Sequence, residues 1–154
     1  MPTPDRTSLD AIVLAARDLL ESEGLAGLSM QAVAARVGVR APSLYKRVAN
    51  REELIQFVAE ATLSELGERL DEAGSLEQLA GEVRAFGHER PAAFQLILTP
   101  GAGTPTARPE FGASASQSIL RLAGELAGEE RALEAARTLT AWAAGFVSME
   151  LNSG

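Results

Sequence analysis

The sequence predicts an all-α protein in two parts: a three-helix head with a helix-turn-helix, then a helical bundle. Three observations carry this expectation. Apolar residues recur at helical spacing along most of the chain. Ala and Leu dominate, both of which cost little in a helix, and alternating β-branched runs are absent. Ser, Asn, Gly and Pro punctuate the periodic stretches where helices start and stop. The 154 residues suffice for a small head and a larger body, with the division expected at 1–50 and 51–154.

The first helix carries Leu9, Ile12, Val13, Ala16, Leu19 and Leu20 on one stripe, with Thr7 or Ser8 as cap and Gly24 as stop. Ser29 caps a short second helix whose inner face is Met30, Val33, Ala34 and Val37, and Gly38 breaks it. Pro42 suits the first turn of a third helix running through Ser43 to Val48, with Leu44 and Val48 inward. Asn50 and Glu53 form a capping box for a fourth helix ended by Gly74. Ser75 and Gln78 open a fifth helix with Leu79, Val83 and Phe86 inside. Pro91 starts a short apolar helix to Leu98. Residues 99–109 read as a Pro/Gly/Thr loop. Two long helices close the chain, one with Phe111, Ile119, Leu122 and Leu126, the other from about Glu129 to Leu151.

Composition excludes several function classes. No cysteine is present, so there are no disulfides or thiolate sites, and the single His88 cannot build a multi-histidine metal centre. No serine sits in a nucleophile elbow, and Gly101-Ala102-Gly103 lacks the third glycine of a dinucleotide loop. Neither catalytic residues nor a cofactor or metal are therefore expected. No apolar run approaches the roughly 20 residues needed to span a bilayer. The polar start lacks a signal-peptide core, which predicts a cytoplasmic protein.

The net charge of −7 is unevenly spread. Residues 1–51 hold seven basic and five acidic side chains, a net of +2; the remainder holds seven basic and sixteen acidic, a net of −9. Between Arg36 and Arg51 lie five positive charges and no negative one. A basic head on an acidic body points to a polyanion; a solvated charged face is the other reading.

The spacing Val33-Ala34, Gly38-Val39, Leu44 is that of a helix-turn-helix. Small Ala34 lets two helices cross closely, Gly38 makes the turn, and Val39 and Leu44 pin the second helix on the first. Its outer side is then free to enter the DNA major groove. Ser43, Tyr45 and Lys46 are the candidate groove contacts, with Arg40 at the helix entrance; Arg36 and Arg47 are candidate phosphate contacts. A helical protein–protein module without DNA contact is the alternative.

Residues 9–58 resemble the N-terminal domain of the tetracycline-repressor (TetR-like) family. The matching text is Leu28-Ser29-Met30, Val33-Ala34, Val37-Gly38-Val39, Pro42-Ser43-Leu44-Tyr45 and Asn50-Arg51-Glu52-Glu53-Leu54. The resemblance implies that the third helix reads DNA, that Tyr45 reaches phosphate, and that Arg51 stands where the family has a phosphate-contacting residue. Where the family often has an aromatic-histidine-phenylalanine run, this chain has Tyr45-Lys46-Arg47-Val48, so base preference does not transfer. Trp142-Ala143-Ala144-Gly145, with Arg90-Pro91-Ala92-Ala93-Phe94 upstream, resembles the Trp-His-Gly type of C-terminal domain, with Ala144 in place of histidine.

The family also implies a repressor that binds a palindromic operator as a homodimer and is released by a small molecule. A small hydrophobic effector is expected in a body cavity walled by Phe57, Phe86, Phe94, Phe111 and Trp142, plain core packing being the other reading of each. The last two helices, through Leu139, Ala143, Phe146 and Val147, are the expected dimer surface. Family members commonly continue for one more helix, which predicts a chain truncated at its C-terminal end.

Overall fold

The computed structural model describes residues 7–153, which form eight α-helices: α1 (Leu9–Glu23), α2 (Met30–Val37), α3 (Ala41–Leu44), α4 (Arg51–Asp71), α5 (Leu76–Glu89), α6 (Pro91–Leu98), α7 (Pro109–Ala127) and α8 (Ala132–Asn152). No strand occurs among the described residues. None of their helices is long and apolar enough to cross a membrane.

Caps explain most of the boundaries. Ser8, Ser29, Asn50 and Ser75 each accept a hydrogen bond from the backbone N–H three residues on. At α4 and α5 the residue three after the cap also reaches back to the backbone just before it: Glu53 Oε2 accepts from Ala49 N at 2.6 Å and Gln78 Oε1 from Gly74 N at 2.8 Å. Several expected boundaries move: α7 starts at Pro109, inside the expected loop, and α8 at Ala132 after a 3₁₀ turn at Glu129–Arg131. α4 ends at Asp71, three residues before Gly74, because the chain tightens there and Ala73 N bonds to Leu70 O. The third helix covers Ala41–Leu44 instead of Ser43 to Val48. Its single turn continues as a tight turn in which Arg47 N and Val48 N both bond to Leu44 O, carrying Val48 into the core.

Two apolar cores lie along α4. The first gathers Ile12, Ala16, Leu20, Leu28, Val33, Leu44 and Val48 with Leu54, Ile55, Val58 and Ala59 of α4. The second joins Leu66 and Leu70 of α4 to Phe86, Phe94, Leu122 and Val147. α6 touches both, since Ala93 and Leu96 pack with the first and Phe94 with the second. Where α5 meets α8, Gly87 is buried so tightly that a Cβ there would lie 2.5 Å from Val147 Cγ1.

Candidate nucleic-acid interface and body cavity

The turn between α2 and α3 follows from Gly38. Its φ of 78° and ψ of 33° lie in the left-handed region, which glycine enters without the Cβ penalty. Gly38 N bonds to Ala35 O at 3.2 Å and Val39 N to Ala34 O at 3.0 Å, the paired closure of a Schellman motif. Ala34 is 2% exposed, so the two helices cross on a small residue. Leu44 and Val48 are buried, which turns the other side of 40–47 outward. Arg40, Tyr45, Lys46 and Arg47 are exposed there, Ser43 is half-buried, and Arg36 is exposed at the end of α2. Arg36, Arg40 and Lys46 form no ion pair with described residues. The structure thus gathers six of the seven DNA-contact candidates around one helix-turn-helix.

Arg51 departs from the phosphate-facing expectation. Its Nε donates to Leu28 O at 2.6 Å and its Nη2 to Leu25 O at 2.7 Å. The guanidinium satisfies carbonyls of the 3₁₀ turn Leu25–Gly27 and the residue after it, and so ties the start of α4 to the segment between α1 and α2.

The five aromatic candidates for an effector cavity do not share one site. Phe86 and Phe94 are 0% and 1% exposed and are core residues. Phe57 and Phe111 line an open groove between α1, α4 and the start of α7, together with Arg17 and Arg108. Of the five, only Trp142 borders the cavity inside the body. That cavity has a volume of about 250 Å³ and is walled by Leu66 and Leu70 of α4, Leu79 and Val83 of α5, Ile97 of α6 and Ile119 of α7, with Trp142 on α8. Sequence reasoning favoured rings over branched aliphatics, yet the aliphatics form the wall. Trp142 itself is 63% exposed and stacks on Phe146, with ring centroids 5.5 Å apart. Val147, expected on the dimer surface, is 2% exposed and belongs to the second core, because it fills the space beside Gly87.

A family model described as the C-terminal domain of tetracyclin repressor-like proteins matches residues 76–154. A second, for bacterial regulatory proteins of the tetR family, matches residues 5–58. The chain belongs to the TetR family. Among curated TetR-family relatives, the tetracycline repressor protein class E of Escherichia coli is 39% identical over 59 residues, 38% of this chain and 28% of the relative. The HTH-type transcriptional repressor DrrR1 of Streptomyces coeruleorubidus is 36% identical over 111 residues, 66% of this chain and 41% of the relative. The chain therefore matches less than half the length of either. Among solved structures, the regulatory protein SCO4313 superposes with a TM-score of 0.80 at 23% identity, covering 97% of this chain and 88% of that one. TetR from Acinetobacter baumannii AYE gives 0.69 at 24%, covering 95% and 76%. Both likenesses concern the fold.

Two acidic residues that sequence reasoning passed over hold this TetR-like chain together at the junction of head and body. Glu21 on α1 accepts from Ala92 N at 3.1 Å and Ala93 N at 2.8 Å, so a head carboxylate caps α6. The signal was available: α6 begins at Pro91 after Arg90, with no capping side chain of its own. Glu60, 4% exposed, accepts from Arg108 N and Nε at 3.1 and 2.9 Å and from Gln56 Nε2 at 3.0 Å. Burial pushes its carboxyl pKa up, but the hydrogen bonds from Arg108 and Gln56 outweigh that and hold it below its usual value. Glu65 joins Arg17 of α1 to Arg90 in the same region.

Proposed function

We propose that the protein is a DNA-binding transcriptional repressor whose operator affinity falls when a small apolar molecule enters the body cavity. The single observation that carries the DNA reading is the helix-turn-helix, closed by Gly38 and surrounded by exposed cations on an otherwise acidic chain. Lys46 and Arg40 are suited to guanine acceptors, Ser43 to a base edge or phosphate, and Tyr45, Arg36 and Arg47 to phosphates. The working unit is a two-fold dimer on a palindromic operator, since one short recognition segment covers only a few base pairs. The head is residues 1–50 and the sensing and dimerising body residues 51–154.

The route from cavity to head runs through α6 as well as α4. Ile97 and Leu98 at the end of α6 line the cavity, while Glu21 of the head holds its start. A ligand that displaces Ile97 therefore pulls on α1. It can do so only through its differential affinity for the two arrangements, and a coupling of about 1–3 kcal/mol is typical.

The test is selection of bound fragments from genomic DNA, followed by titration of the selected operator. Lys46→Ala and Tyr45→Ala are expected to weaken operator binding. Arg36→Ala is expected to weaken specific and random DNA alike and to lower the salt slope by about one unit. Operator binding by both recognition-segment variants at parental affinity defeats the reading.

A further inference from the structure

The body cavity does not end at Thr140 and Ser116. Leu98, Ser116, Ile119 and Thr140 line both the cavity and an adjoining surface groove between α7 and α8. The cavity lining has no charged side chain, and the groove has one, Arg137. Arg137 and Thr140 of α8 both line that groove. An apolar interior thus opens past two hydroxyls onto a single cation.

That cation is uncommitted. All seven basic residues after Arg51 are arginines. Arg69, Arg84, Arg90, Arg108 and Arg121 are each ion-paired to carboxylates of this chain. Among the described residues Arg137 has no such partner, although sixteen acidic side chains surround it in this part of the sequence. Glu134, one turn earlier, lines a different groove with Leu126 and Thr138. The hydroxyls do not compete for an anion. Thr140 Oγ1 already donates to Ala136 O at 2.8 Å and Ser116 Oγ to Gly112 O at 2.8 Å, so both present only lone pairs to the passage. A carboxylate gains nothing from them and must reach the guanidinium.

We propose that the effector is an aliphatic monocarboxylate, its hydrocarbon body in the cavity and its carboxylate on Arg137 at the mouth. This rests on the effector reading of the cavity and names the ligand class for it. An Arg–carboxylate pair at a rim selects the charged head, while the branched aliphatic walls take the chain. Arg137 is the specificity residue.

Octanoate, octan-1-ol and octylamine are the probes, used with the full chain at neutral pH. Binding is read by calorimetry and by the fluorescence of Trp142, the single tryptophan, which borders the cavity. Octanoate is expected to bind about fivefold more tightly than octanol, and Arg137→Gln to erase that difference without changing octanol affinity. Arg137→Glu is expected to move the preference to octylamine. Arg131→Gln, at the other uncommitted arginine, is expected to leave all three unchanged. Arg137 is exposed, so these variants fold, and an unchanged melting temperature checks this. Octanol binding as tight as octanoate, or equal loss of both in Arg137→Gln, overturns the carboxylate assignment and leaves the effector cavity standing. Binding of none of the three overturns both, and the operator titration above stays independent of either.

Discussion

At the scale of single residues, the structure spends its charges more on holding the fold than the sequence suggests. Glu60 is the clearest case. Its folded pKa lies below the ordinary carboxylate value of 4.5, so its ionisation stabilises the fold fully above that value, and the contribution is lost as pH falls through the lower folded pKa. Acid unfolding of Glu60→Gln followed by circular dichroism is expected to be less steep below pH 4.5 than that of the parent. Arg108→Ala leaves Glu60 buried without its main partner and is expected to lower the urea midpoint more than Arg131→Ala at the exposed 3₁₀ turn before α8. An equal loss in the two variants would show that the Glu60 pairing contributes nothing. Arg51 belongs to the same group. Its cation reads as a DNA contact in sequence, because nothing local shows that two carbonyls 23 and 26 residues away will accept hydrogen bonds from it.

Elements were largely readable, and the reason is local. Caps at Ser8, Ser29, Asn50 and Ser75, the left-handed Gly38 and the prolines at 42 and 91 each act within a few residues, so most of the helices could be placed from the chain itself. What was hidden depends on partners far along the sequence. The helical stripe of α8 placed Ala143, Phe146 and Val147 together, but which of them meets α5 is set by Gly87, sixty residues earlier. The lining of the body cavity was hidden for the same cause: periodicity finds an inward face but not the gap between inward faces, so branched aliphatics and not the expected rings form most of its wall. Gly87→Ala is expected to destabilise the protein by about 1–2 kcal/mol, the clash with Val147 outweighing the better helix propensity of alanine. Adding Val147→Ala should recover part of that loss in thermal melts; if the double variant is as unstable as the sum of the two, the close approach of α5 and α8 is not the cause.

At the scale of the whole molecule, α8 leaves a row of apolar side chains bare. Trp142, Phe146 and Met149 are 63%, 45% and 71% exposed on one face, with Leu126 of α7 at 71%. Exposed apolar side chains gathered on one helix face mark an interface, and in the proposed dimer this is where the two copies would meet. Trp142→Glu with Phe146→Glu is expected to give a monomer by light scattering that melts as one cooperative unit and binds operator more weakly; an unchanged dimer mass places the interface elsewhere. The staple made by Arg51 bears on how such a dimer would move. It fuses the three head helices to the first turns of α4, whose Leu54, Ile55, Val58 and Ala59 are already packed in the head core. The fulcrum therefore cannot sit at the residue-50 boundary. In the proposed switch the head would turn beyond Ala59, before Leu66 enters the second core, where Glu60 and Glu65 tie α4 to Arg108, Arg17 and Arg90, so those ion pairs would bear the movement. At about 1.5 Å per residue the arm from there to the recognition turn is roughly 20 Å long, so a swing of about 10° would carry the tip ~3.5 Å sideways. Loosening the staple with Arg51→Met would shorten that arm, and the same push from the cavity would then displace the recognition turn less.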